Sequence, residues 1–395
     1  MVLVLLLTIY ALISFYLLRR SRLLKLVSLF NIATFIIGLL WLGEGAFPGK
    51  PDQLRYLNYG KDCAKHDSLS MMSSIKRTQA LKKIKESNTA YPLFSCAMFK
   101  SSLSPVISLR LVNFIAHLLM CVLVLLFYEN FKLNKEGEWA ALIVGVLPSV
   151  LAFDLIIMRD LLIAFFSITF LVLPVCLNRT YIFRSLALVV GVFAVFTLRP
   201  HLVPPMLLGL MTLFGMRFFR WKVTSTLIFG LTLFIGLVLS KFQLPSKNLQ
   251  LYLGSFGYFF DNLSLFMNKA PVEILGYSFL LPDKTLGLPI DKILLNRFLI
   301  FDSLIIPAVF LALLVVTFKK RRGEVEGIVL YPMLIYYMTY FFLEYGQGRH
   351  LPYSFRVSLP FHVLMAAAIP FLWKVWKTPS GSNNINEPSM TMEKI

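Results

Sequence analysis

Residues 1–22 read MVLVLLLTIYALISFYLLRRSR, an apolar run from Met1 to Leu18 closed by Arg19-Arg20-Ser21-Arg22. About 18 apolar residues at roughly 1.5 Å each cover the ~30 Å hydrocarbon core of a bilayer. A secretory signal peptide carries its positive charge before the apolar core, and here the charge follows it. The run is expected to be a retained first span with its N-terminus outside.

The rest of the chain repeats this pattern. Of 395 residues, 57% are hydrophobic and 15% charged, and 36 are Phe, well above the roughly half apolar content of soluble domains. Lipid cannot satisfy backbone polar groups, and the runs lack the alternation of barrel strands, so spanning helices are expected. The apolar runs fall at 2–18, 26–43, 106–128, 138–157, 161–177, 186–198, 202–216, 223–240, 297–318, 327–343 and 360–375, which predicts an all-α polytopic membrane protein of about eleven transmembrane helices. The sixth and seventh are short for full crossings and also read as a re-entrant pair.

With the N-terminus outside, the short basic segments 19–25, 132–135, 179–184, 217–222, 319–322 and 374–377 all fall on the cytoplasmic side, as the positive-inside bias requires. The formal charge of +19 is therefore read as topology signal and anchorage to anionic lipid, with no nucleic-acid partner. Residues 1–377 form one membrane domain with long extracytoplasmic loops at about 44–105 and 241–296, and 378–395 is a polar cytoplasmic tail expected to be disordered. No internal repeat is visible, so nothing points to the inverted halves of many transporters.

The first long loop opens on Gly49-Lys50-Pro51-Asp52-Gln53-Leu54-Arg55-Tyr56. Further on, Asp67 is placed to cap a basic helix over 68–86, either lying on the headgroups or solvated. An oxidising compartment would let Cys63 and Cys96 of this loop pair. The second long loop is rich in Tyr and Phe, which suits a membrane interface or a groove for a sugar or prenyl chain. No His or Cys spacing suggests a metal cluster.

Ionisable residues collect at the outer ends of spans: Glu44, Asp52 and Arg55; Asp154, Arg159 and Asp160; Arg199 and His201; Glu344, Arg349, His350 and Arg356. Such residues are costly near lipid and point to function. Arg159-Asp160 reads either as a helix cap with Arg159 snorkelling outward, or as a pair in which Arg159 holds a phosphate that Asp160 helps to place. Leu198-Arg199-Pro200-His201 and Arg349-His350-Leu351-Pro352 repeat the theme. Several Arg-bearing turns on one face fit an anionic ligand, since the planar guanidinium matches phosphate.

An extracytoplasmic Asp and Tyr in a first long loop, an Arg-Asp at a mid-chain turn, and Arg349-x-x-Pro352 before an Ala-rich last span together resemble the polytopic GT-C glycosyltransferases. By fold, that class includes the O-antigen polymerases and ligases of bacterial envelopes. The resemblance implies transfer of sugar from a polyprenyl-(pyro)phosphate carrier on the outer face of the bacterial inner membrane, alongside other envelope-glycan assembly proteins. It implies Asp52 as general base on the acceptor hydroxyl. Arg55, Tyr56, Arg159, Asp160, Arg199, His201, Arg349, His350 and Arg356 would bind the lipid-linked substrate, their cations offsetting charge on the leaving phosphate. The sequence departs from the class in that Asp52 follows the second span and Gln53 stands where many members have a second acid. A divalent metal is compatible but not called for, and these departures leave room for a metal-independent polymerase. Two other classes stay open: a transporter or flippase of lipid-linked saccharides, and a non-catalytic membrane scaffold.

Overall fold

The computed structural model describes residues 2–45, 51–65, 90–130, 132–157, 159–176, 181–198, 309, 312 and 354–377. Every element within them is helical. The expected spans 202–216, 223–240 and 327–343, the helix over 68–86, the loop 241–296 and the tail 378–395 lie outside the described residues, and of 297–318 only Val309 and Ala312 are described.

Helix α1 (Val2–Arg20) turns at a single residue into α2 (Arg22–Leu42). That residue, Ser21, is extended, and its hydroxyl accepts the Leu24 N–H, satisfying one of the donors that a helix start leaves open. At the far end Gly43 adopts φ 48° and returns its N–H to Leu39 O, the left-handed exit that glycine allows. The two helices run back antiparallel, with Ser28 Oγ donating to Ser14 O and Tyr10 Oη to Asn31 Oδ1.

The central element is α5 (Pro105–Asn130), preceded by α3 (Pro51–Ala64) and α4 (Ala90–Ser101) and followed by α6 (Asn134–Gly145), α7 (Pro148–Leu155), α8 (Asp160–Cys176), α9 (Tyr181–Leu198) and α10 (Ser354–Lys377). Pro105 opens α5 where a missing N–H costs nothing. Helices α1, α2, α4, α6, α7 and α8 all pack against it. Helices α1, α2 and α5 are each long and apolar enough to cross a membrane, and α6 with α7, bent 50° at the break before Pro148, makes a fourth if the pair is one span. Proline removes the N–H that would bridge that break.

Outward faces remain apolar. Leu5, Leu12, Leu29, Ile37, Leu40, Val189 and Phe193 are exposed on α1, α2 and α9, a surface that water would not tolerate and lipid does. Between helices, contact depends on small residues, since lipid supplies no hydrophobic drive to associate. A Cβ on Gly145 would come within 2.7 Å of Val27 on α2.

The two ends of the bundle differ. At one, Arg20 pairs with Glu129 and Lys374 with Glu136, among Arg19, Arg22, Lys25, Lys132 and Lys135. At the other, α3 and α4 pack as a hairpin over the start of α5, sharing a small core of Leu57, Met98, Val106, Leu109 and Ile157. The stretch opening at Pro51, expected as loop, is therefore helix. Cys63 and Cys96 are bonded, with Cα atoms 5.6 Å apart. Ser95 Oγ donates to Tyr56 O, and the rings of Tyr56 and Tyr91 meet edge to face at 4.7 Å. Gly60 admits this approach, since a Cβ there would fall 2.4 Å from the Phe99 ring. The bridge spans 33 residues, and closing a loop of that length is worth about 3 to 4 kcal/mol by the chain-entropy model. Cys63→Ser is expected to destabilise the hairpin by that order, read as new protease cleavage within α3 and α4 while α5 stays intact.

Candidate functional site

Within the apolar α5, polar residues recur at Arg110, Asn113 and His117. Spacings of three and four place them on one helix face, and all three are buried. That face meets the end of α7, where the chain leaves the helix and Ile156 becomes extended. A helix end leaves its last carbonyls open, and inside a membrane no water takes them up. Here α5 supplies the donors. Asn113 Nδ2 donates to Phe153 O at 3.2 Å and Ile156 O at 2.8 Å, and Arg110 Nε donates to Leu155 O at 3.3 Å.

Arg110 also closes α2. Its Nη1 donates to Gly43 O at 2.5 Å and its Nη2 to Gly45 O. One guanidinium thus ties the ends of α2 and α7 to the start of α5. The hairpin adds a further tie, since Gln53 Oε1 on α3 accepts the Ile157 N–H at 3.0 Å. Beyond the turn, Arg159 Nη1 donates to Leu198 O at 2.7 Å, at the end of α9. The turn between α7 and α8 is therefore irregular backbone at the membrane end, tolerated because protein groups satisfy it.

A second layer lies deeper. His117 is the thirteenth of the twenty-six residues of α5, so it sits at mid-helix. Its Nδ1 is 2.7 Å from Asp154 Oδ2 and 3.0 Å from Asn31 Nδ2, while Asn31 Oδ1 accepts the Tyr10 hydroxyl at 2.8 Å. Tyr10 and Asn31 stand near the middles of α1 and α2. Both His117 and Asp154 are 0% exposed. Four elements thus contribute one polar chain at the centre of the bundle.

The chain matches no family model, no curated protein and no solved structure.

The residues singled out in the sequence take up different places. Asp52 is the second residue of α3; its side chain lies outside the description. Arg55 is exposed on the same helix. Tyr56 is buried against Tyr91 in the hairpin core. Arg159 is 6% exposed and Asp160 1%, so Arg159 turns into the protein and does not snorkel outward. Asp160 begins α8, where a carboxylate faces the positive end of the helix dipole. Arg356 lies on α10 with its side chain undescribed, and Arg199, His201, Arg349 and His350 lie outside the described residues. Asp154, expected at a span end, instead joins His117 in the core. Arg110, Asn113, His117 and Asn31 went unrecognised in the sequence, although the three-and-four spacing of Arg110, Asn113 and His117 was there to be read. Among the described residues no three metal-ligating side chains gather.

Proposed function

We propose that the chain is a polytopic membrane glycosyltransferase or polymerase, transferring sugar from a polyprenyl-(pyro)phosphate carrier on the extracytoplasmic side of a bacterial inner membrane. One observation carries the reading. Gln53, next to Asp52, bonds to Ile157, two residues before Arg159; Arg159 in turn bonds to Leu198, the residue before Arg199. Three stretches far apart in sequence, each chosen for acid or Arg chemistry, are thereby linked by two hydrogen bonds. In the mechanism so proposed, Asp52 takes the acceptor proton and the Arg residues offset charge on the departing phosphate.

The proposed topology has eleven spans, the N-terminus outside and the C-terminus cytoplasmic. Two features support it. The basic residues gather at one end, with Lys374 near the end of α10 among them. The disulfide lies at the other end, as an oxidising compartment would have it.

In a strain dependent on this gene, Asp52→Asn is expected to abolish polymeric glycan while the protein accumulates at normal level in the membrane. Unchanged glycan from that variant would remove Asp52 from the mechanism. A second reading, movement of lipid-linked saccharide across the membrane, is favoured by the buried His117–Asp154 pair at mid-helix beside the broken α6–α7, since transporters place ionisable groups and helix breaks near the midplane. Carrier-linked repeat units accumulating on the outer leaflet of the Asp52→Asn strain support transfer; accumulation on the inner leaflet supports transport.

A further inference from the structure

We propose that His117 and Asp154 form a mid-membrane proton-binding site in which imidazole Nε2 takes up and releases the proton. The inference depends on neither functional reading above.

Nδ1 of His117 and Oδ2 of Asp154 are 2.7 Å apart. At that separation two bare lone pairs would repel, so a hydrogen lies between them in every protonation state. Exchange must therefore occur elsewhere. His117 Nε2 and Asp154 Oδ1 are both buried and have no hydrogen-bond partner among the described residues. With Nε2 bare, the pair carries a net charge of minus one in a dry core. With Nε2 protonated, the pair is neutral overall, as imidazolium and carboxylate or as imidazole and carboxylic acid. A net charge is the costly state in such surroundings. One proton thus separates a disfavoured charged state from a favoured neutral one, on a ring whose close side-chain neighbours include the Cys121 thiol, one turn along α5.

The neighbours accommodate either neutral form. Asn31 turns its Nδ2 to Nδ1 and its Oδ1 to the Tyr10 hydroxyl. Turned over, the same amide offers Oδ1 to an Nδ1–H, and the Tyr10 phenol, donor and acceptor both, serves either face. A route for the proton is marked by the polar face of α5. Asn113, one turn outward from His117, has an Oδ1 with no partner among the described residues, and Arg110 lies a further turn out. That covers about 10 Å at roughly 1.5 Å per residue, from mid-helix to the irregular turn before α8. The proton comes from water at that end and returns to it. Among the described residues, the other titratable groups on elements around the pair are Tyr10, Tyr16, Arg19 and Arg20 on α1, Arg110, Cys121, Tyr128 and Glu129 on α5, Arg159 in the turn and Asp160 on α8. The charged groups of α2, α6 and α10 that are described lie at the basic end.

The test is nuclear magnetic resonance of the full chain in lipid nanodiscs, with nitrogen-labelled histidine, followed from about pH 5 to about pH 12. The His117 signal is identified as the one lost in His117→Gln. Should that variant not fold, the signal resisting a water-soluble paramagnetic quencher serves, given the full burial of His117. In the wild type, Nε2 is expected to change from protonated to bare within the range while Nδ1 keeps its hydrogen-bonded shift; in Asp154→Asn the ring stays neutral throughout. A wild-type ring whose Nε2 never changes state, or an Asp154→Asn ring titrating as the wild type does, overturns the proposal.

Discussion

Arg110→Met is expected to lower the stability of the protein by about 3 to 5 kcal/mol. The side chain is 1% exposed and donates to three backbone carbonyls, of Gly43, Gly45 and Leu155. Methionine fills similar volume and offers no donor. Each buried carbonyl left without a partner costs about 1 to 3 kcal/mol. Helix–helix hydrogen bonds in membranes average only about 0.6 kcal/mol, because the unfolded chain finds partners there too. Two of these carbonyls, however, lie beyond the end of α2, where the backbone cannot pair with itself, so the larger figure governs. Arg110→Lys separates charge from geometry. It keeps a cation near Glu44, but a single ammonium cannot reach both helix ends as the guanidinium fork does, so an intermediate loss is expected. Reversible unfolding in mixed detergent micelles measures both variants. A Met variant within about 0.5 kcal/mol of wild type would mean that water reaches these carbonyls, and that Arg110 does not hold the ends of α2 and α7 together.

The fold was legible in the sequence where burial in lipid leaves one solution. Length and hydropathy alone place α1, α2 and α5 within a few residues of their observed limits, because a backbone in hydrocarbon must be helical. The break at Pro148 was not foreseen. The run 138–157 is apolar throughout, and hydropathy does not register a missing N–H. The hairpin was hidden for the opposite reason. Residues 51–64 are polar on average, yet Gln53, Tyr56, Leu57, Tyr59 and Cys63 recur on one face and are buried, so the face is set by position more than by composition.

The candidate site shows the same division. Clusters such as Arg159-Asp160 stand out because their charges are adjacent. Arg110, Asn113 and His117 are separated by apolar residues, so an average over the span conceals them, and only helical spacing brings them onto one face. Asn31 and Tyr10 gain their importance solely from the packing of α1 and α2 against α5, which no local reading contains. Their chemistry is a property of four helices together.

The size of that collective effect decides between two descriptions of the core pair. Asp154→Ala removes the partner of His117 Nδ1 at a position 0% exposed. If the native pair is two neutral groups sharing one hydrogen bond, the loss should be near 0.6 kcal/mol plus the small cavity left by the side chain. If the native pair is imidazolium and carboxylate, the same change strands a buried imidazolium that must give up its proton, and the loss should approach about 3 to 5 kcal/mol. The ion-pair outcome is expected, because four elements converge on the pair and a lone imidazolium has no other anion beside it among the described residues. The double variant His117→Met with Asp154→Ala gives the decisive comparison. Removing both charges relieves the stranded one, so the double variant is expected to be more stable than Asp154→Ala alone, a coupling of about 1 to 3 kcal/mol. A coupling of only about 0.6 kcal/mol would show that the core holds a neutral hydrogen bond, with its proton already settled on the carboxyl group.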